Sequence, residues 1–141
     1  MREALPNEIG GILIGWRHND AVVVSRALVV PDPTADGRHY TLDHDAAEEA
    51  LQLHYRDHPD ALEGYVGEWH SHPEAQPPSS LDRVSISKAS RKVHMPIALL
   101  VLAYEPPTDA ITPFGLLVRR RRLGRSVEIA IAHVSSTQEP L

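Results

Sequence analysis

The sequence predicts a single α/β domain whose sheet is mixed but mainly antiparallel and is flanked by helices. Three observations point there. At 141 residues with 42% apolar residues, the chain has the size and material of one core. Short β-branched runs recur along it, and two longer stretches with helical rather than alternating periodicity separate them. Proline and glycine clusters punctuate the boundaries.

In order, Ile9 to Ile14, with Gly10, Gly11 and Gly15 beside it, reads as a buried strand that something approaches closely. Ala21 to Val30 is a second strand, bounded by Pro31 and Pro33. Pro31 to Thr41 reads as a loop. Asp43 then suits the N-cap of a helix reaching about His58, which Pro59 stops. Tyr65 to His72 is the third strand, ended by Pro73. A second helix follows over about Leu81 to Val93, begun by Ser79. Pro96 to Tyr104, almost wholly apolar, fits a strand buried on both faces. Glu105 to Pro113 reads as a proline-rich loop. Phe114 to Leu123 and Ser126 to Val134 read as a hairpin turning at Gly124-Arg125. The domain is thus expected over 1–134, with 135–141 as a disordered tail.

The composition narrows the chemistry. The net charge is -5, which does not favour a general role in binding nucleic acid. With no cysteine, disulfides, thiolate ligands and a cysteine nucleophile are all excluded, so a metal would be held by His, Asp and Glu. The apolar run Ile9 to Trp16 is too short to span a membrane, and the expectation is a cytoplasmic protein without membrane association.

The stretch that carries chemistry is Gly67-Glu68-Trp69-His70-Ser71-His72-Pro73 followed by Ser79-Ser80-Leu81-Asp82. On a strand, His70 and His72 point to one face, close enough to chelate one ion, and Trp69 and Ser71 point to the other. Imidazole suits zinc, and a catalytic zinc keeps three protein ligands and an open position. Asp82, in the first turn of the next helix, is the natural third ligand. A carboxylate beside the bound water is also needed. Glu8, opening the glycine-rich strand whose small residues would leave room for a substrate backbone, is the first candidate. Glu68, on the face of His70 and His72, competes as ligand or base.

Each part has a plainer reading. A lone His-x-His is more often a hydrogen-bonded surface pair than a ligand pair. Ser79-x-x-Asp82 is also a capping box, a use compatible with ligation. His54 and His58 have the i, i+4 spacing of a ligand pair but lack a matching carboxylate. Arg119 to Arg122 reads as a solvated edge, with an acidic partner or nucleic acid as the alternative. The acidic stretch Asp32 to Glu63 reads as a solvated helix face, or else as a docking surface for a basic partner.

Taken together, Glu8-Ile9-Gly10-Gly11-Ile12-Leu13-Ile14-Gly15, Gly67 to Pro73 and Ser79 to Asp82 resemble the JAMM/MPN-plus metalloprotease family, in particular its short prokaryotic JAB-type members. The resemblance implies a cytidine-deaminase-like fold, a zinc ion on His70, His72 and Asp82, Glu8 as general acid/base, and Ser79 helping to hold an oxyanion. It implies a zinc-dependent peptidase or isopeptidase, a deubiquitinase-like hydrolase acting at the C-terminus of a ubiquitin-like or sulfur-carrier protein. The alternative is a catalytically weak or inactive MPN-type scaffold that binds proteins, although such members typically lose these ligands. A nucleobase deaminase on the related fold would need cysteine ligands that are absent.

This chain departs from the family pattern in two places. Five residues, Glu74 to Pro78, stand between Pro73 and Ser79 where the family usually has six, and only seven residues precede Glu8. The short lead implies either a trimmed domain or a sheet edge that another subunit covers, as in a homodimer.

Overall fold

The computed structural model describes residues 8–18, 21–36, 40–74, 76–93, 95–105 and 110–118. Among these residues five strands and two helices run in the order β1 (Gly10–His18), β2 (Ala21–Val29), α1 (His44–Asp57), β3 (Gly64–His72), α2 (Ser80–Val93), β4 (Ile97–Glu105) and β5 (Ala110–Val118). They form a small α/β unit with one mixed sheet of order β2-β1-β3-β4-β5. Among the described strands only β3 and β4 pair in parallel; the other neighbours are antiparallel.

Both helices begin where a side chain satisfies amides that have no partner within the helix. Asp43 accepts from the backbone N–H of Asp45 and Ala46, each at 3.1 Å, and caps α1. At α2 the capping is reciprocal: Ser79 Oγ accepts from Asp82 N at 3.1 Å, and Asp82 Oδ2 accepts from Ser79 N at 2.7 Å. Basic side chains, Arg56 on α1 and Arg91 and Lys92 on α2, occupy the last turns, where the helix dipole favours them.

The strand order explains where the helices lie. Because β1 is antiparallel to both β2 and β3, and β4 is parallel to β3, strands β2, β3 and β4 all run the same way. The connections through α1 and α2 advance across the sheet in one direction, and right-handed crossovers therefore put both helices on one face. The packing agrees. Ile12, Ile14 and Val30 bury against Ala47 of α1. Leu99, Val101, Leu116 and Val118 bury against Ile86 of α2. Tyr65 packs against both clusters. The opposite face holds a smaller cluster of Leu13, Val66 and Trp69. The register of β1 shifts at Leu13/Ile14 against β3 and at Ile14/Gly15 against β2, and such bulges curl a sheet.

Two expectations change. The stretch Glu105 to Pro113 is not all loop: β4 runs on to Glu105, β5 starts at Ala110, and Pro113 pairs with Leu102. Proline is tolerated there because β5 is an edge of the described sheet, where only half the backbone groups are needed for pairing. The glycines of β1 make room for the protein itself rather than for a substrate. A Cβ on Gly11 would lie 1.7 Å from the Leu28 carbonyl oxygen, and one on Gly10 would meet Trp69 O at 2.5 Å and the Tyr40 ring at 2.7 Å. The basic run Arg119 to Arg122, the hairpin arm Ser126 to Val134 and the tail 135–141 lie outside the described residues.

Candidate metal centre

The sheet order places β3 between β1 and β4, and the histidines occupy its carboxyl-terminal end. Ligand sites in α/β sheets form beyond the carboxyl ends of parallel strands, and this one follows that pattern. His70 stands opposite Gly10 of β1 on one side and Val101 of β4 on the other. Both histidines are buried, each 8% exposed, with Nε2 of His70 and Nε2 of His72 3.2 Å apart.

Glu8 reaches the same point because its backbone is held on both sides. Glu8 N donates to Asp36 O at 2.7 Å. Next to it, Ile9 is clasped twice by Ser71: Ser71 N donates to Ile9 O at 2.7 Å, and Ile9 N donates to Ser71 Oγ at 3.0 Å. The clasp carries the β1–β3 pairing one step past the strand and delivers the buried Glu8 carboxylate to His72, with Oε1 3.8 Å from His72 Nε2. One ligand atom each from Glu8, His70 and His72 lies within 4.8 Å of the others, close enough to bind a metal ion.

Asp82 comes in from the start of α2. Its Oδ2 lies 3.4 Å from His70 Nε2 and 3.5 Å from His72 Nε2, while accepting the Ser79 amide. The five-residue loop between Pro73 and Ser79 is therefore long enough to bring Asp82 to the histidines. The loop also orients a ring: Gln76 O, which can only accept, lies 3.0 Å from His72 Nδ1, so Nδ1 donates to it and Nε2 faces the centre. Ser79 is exposed, with its Oγ accepting from Asp82 N.

The electrostatics follow from this crowding. Burial alone would raise the Asp82 carboxyl, but hydrogen bonds from His70, His72 and the Ser79 amide prevail and hold it well below the usual carboxylate range. Burial pushes His72 down, yet its hydrogen bonds to Asp82 and the Gln76 carbonyl, with the charges of Glu8 and Asp82, leave it raised. Two imidazole nitrogens 3.2 Å apart, with Asp82 Oδ2 beside both and Glu8 Oε1 3.8 Å from one, form a donor set that a cation, proton or metal, can bridge. The spacing suits a metal. Bonds of about 2.0–2.1 Å around a tetrahedral ion put neighbouring ligand atoms about 3.3–3.4 Å apart. The His70, His72 and Asp82 atoms stand 3.2, 3.4 and 3.5 Å apart.

Glu68 shares the strand face but is not one of the three clustered groups. Burial raises its carboxyl against the charges of His44 and His70. His54 and His58 stack on each other, centroids 4.7 Å apart, and His58 Nδ1 lies 3.1 Å from His54 O. No carboxylate joins them in a metal-binding group among the described residues. Three participants were not foreseen from the sequence: Ser71, the Gln76 carbonyl and Tyr40, whose ring stands beside His70 and nearly parallel to it.

A mixed sheet with two crossover helices on one face and a Glu-His-His cluster at the end of its central strand defines a candidate metal-binding α/β domain. The chain matches the family of prokaryotic homologs of the JAB domain over residues 1–112, which includes every group of the cluster, and it belongs to that family. Its fold is similar to the solution structure of protein DSY2949 from Desulfitobacterium hafniense, with 23% identity, a TM-score of 0.61, and coverage of 90% of this chain and 80% of that one. At that identity the likeness is one of fold. No curated protein matches the chain. No helix among the described residues is long and apolar enough to cross a membrane.

Proposed function

We propose that the protein is a zinc-dependent peptidase or isopeptidase, hydrolysing an amide bond at the C-terminus of a ubiquitin-like or sulfur-carrier protein. The observation that carries this reading is the cluster of Glu8, His70 and His72, with Asp82 Oδ2 beside both imidazoles so that His70, His72 and Asp82 stand at the spacings a tetrahedral ion requires. In this reading His70, His72 and Asp82 would hold the ion. Zinc, when bound, supplies a Lewis acid for the scissile carbonyl and lowers the pKa of water towards about 7.

The chain's own groups do the rest. Glu8, buried and 3.8 Å from His72 Nε2, would stand beside an ion held by the other three. That is the place of a general base. Its carboxylate takes a proton from the attacking water and passes it to the leaving amine. Ser79 uses its hydroxyl oxygen as the α2 cap, which leaves the hydroxyl proton to donate to the oxyanion as the carbonyl becomes tetrahedral. Asp82 is made a poor proton acceptor by its hydrogen bonds, which suits a ligand rather than a shuttle.

Hydrolysis of a ubiquitin-like fusion by the zinc-loaded protein, with Glu8→Gln as control, tests the reading. Cleavage should require metal and should fall by at least about 100-fold in Glu8→Gln, with metal content unchanged. Metal binding without cleavage of any such fusion would favour the protein-binding scaffold. Cleavage indifferent to chelation or to Glu8 would sink the mechanism.

A further inference from the structure

Tyr40 lies in the loop between β2 and α1, thirty residues from the histidines in sequence, and no motif includes it. In space its ring is nearly parallel to that of His70, with an interplanar angle of 17° and centroids 6.4 Å apart. We propose that Tyr40 is the positioning residue for His70: its flat ring sets the rotation of the imidazole and so aims Nε2 at the point shared with His72 and Asp82. The proposal rests on the reading of His70 as a metal ligand.

Three features make the ring a fixed wall. Its hydroxyl donates to Val30 O at 2.6 Å. Val30 is itself 1% exposed and donates its own N–H to Gly10 O at 2.9 Å, so the anchor is part of the sheet rather than of a loose loop. The third feature is Gly10. This residue stands directly across the β1–β3 pairing from His70, and a Cβ there would lie 2.7 Å from Tyr40 Cε1 and 2.9 Å from Cδ1. The missing side chain is the socket into which the ring fits.

An imidazole needs such a wall because rotation about its χ2 is broad and shallow. His72 is oriented by the Gln76 carbonyl at Nδ1; for His70, the parallel face of Tyr40 supplies the corresponding constraint. The phenol does not serve as an acid here. Its proton is committed to Val30 O, and burial together with the charges of Asp32, Glu68 and Asp43 pushes its pKa upward.

The test compares Tyr40→Phe and Tyr40→Leu with the parent chain. It reads zinc affinity by competition with a chromogenic chelator, the visible bands of the cobalt(II) form, and the unfolding midpoint of the chelated protein. Phe keeps the flat face and should leave zinc affinity within about twofold. Leu keeps bulk but not flatness and should weaken zinc by about 10–100-fold, the range for losing a group that orients a metal-bound histidine, with altered cobalt bands. If Leu does not fold, Tyr40→Met, which fills irregular sockets, takes its place with the same expected loss. A purely structural role would lower the chelated midpoint and leave the affinity and cobalt bands of the folded protein unchanged, which would overturn the proposal. A parent chain that binds no zinc would instead overturn the metal-centre reading, and the role of Tyr40 with it.

Discussion

Replacing Ser71 with alanine isolates the clasp that brings Glu8 to the histidines. The hydroxyl is 1% exposed as part of its residue, and it accepts the Ile9 N–H at 3.0 Å. Alanine removes the acceptor and offers no space for a replacement water, so the half-buried Ile9 amide loses its partner. Such a donor costs about 1–3 kcal/mol, and its partial exposure puts the expected loss in the lower half, about 1–2 kcal/mol. For a domain of this size that is a fall in Tm of about 3–10 °C. The second bond of the clasp, Ser71 N to Ile9 O at 2.7 Å, is backbone and survives, so the strand stays paired while Glu8 gains freedom. Urea unfolding of the chelated protein measures the stability term. Zinc titration and turnover of a fusion substrate then separate the two halves of the site: affinity should change by less than about threefold, and kcat should fall by about tenfold or more, because misplacing a catalytic group by an ångström is costly. A variant as stable and as active as the parent would refute the clasp. Equal loss of zinc affinity and of turnover would show that Ser71 supports the histidines instead.

Asp82→Asn separates the two duties of that side chain. An asparagine oxygen can still accept the Ser79 amide, so the cap should survive, but the charge that His70 and His72 stabilise is gone. Chelated stability near pH 5 should therefore fall and the acid limb of its pH dependence should disappear, while zinc affinity should fall by at least about 10-fold; Asp82→Ala should lose the cap as well, a further loss of about 0.5–2 kcal/mol. The pH dependence of the metal-free protein has a worked sign. His72 is raised above 6.5 in the fold, so its stabilisation is complete below pH 6.5 and disappears as pH rises through the folded value. Asp82 is lowered below 3.8, so its contribution is present above that pH and is lost on acidification. Urea midpoints of the chelated chain should therefore peak between pH about 4 and 6.5. With saturating zinc the upper limb should reverse, because metal binding requires His72 deprotonated; a chelated midpoint that rises from pH 6.5 to 8 would contradict the pairing.

The sequence carried most of the elements because their signals are local. The Asp43 cap, the Ser79/Asp82 box and the strand runs each lie within a few residues, and the structure places α1 and α2 at the residues those signals mark. The His70/His72 pair was equally legible from strand alternation, since both rings do share a face and a buried end. What was not legible is non-local. The Ser71 hydroxyl meets an amide 62 residues away in the chain, and Tyr40 finds its place only when Gly10 is brought beside His70. The Gly10-Gly11 pair was visible but misassigned, because glycine reports close approach without saying of what. Pro113 misled for a similar reason: it bars a central strand, and only the sheet order reveals that its strand is an edge.

The central position of β3 has a consequence for how the centre opens. His70 and His72 hang on a strand paired on both sides, and such strands open only with the whole domain. Asp82 sits in the first turn of α2, and helix ends fray at far lower free energy. The residues proposed to hold the ion thus divide into a durable pair and a labile third. An ion bound by them would be exchangeable by melting one helical turn, with the core and the histidine pair left intact.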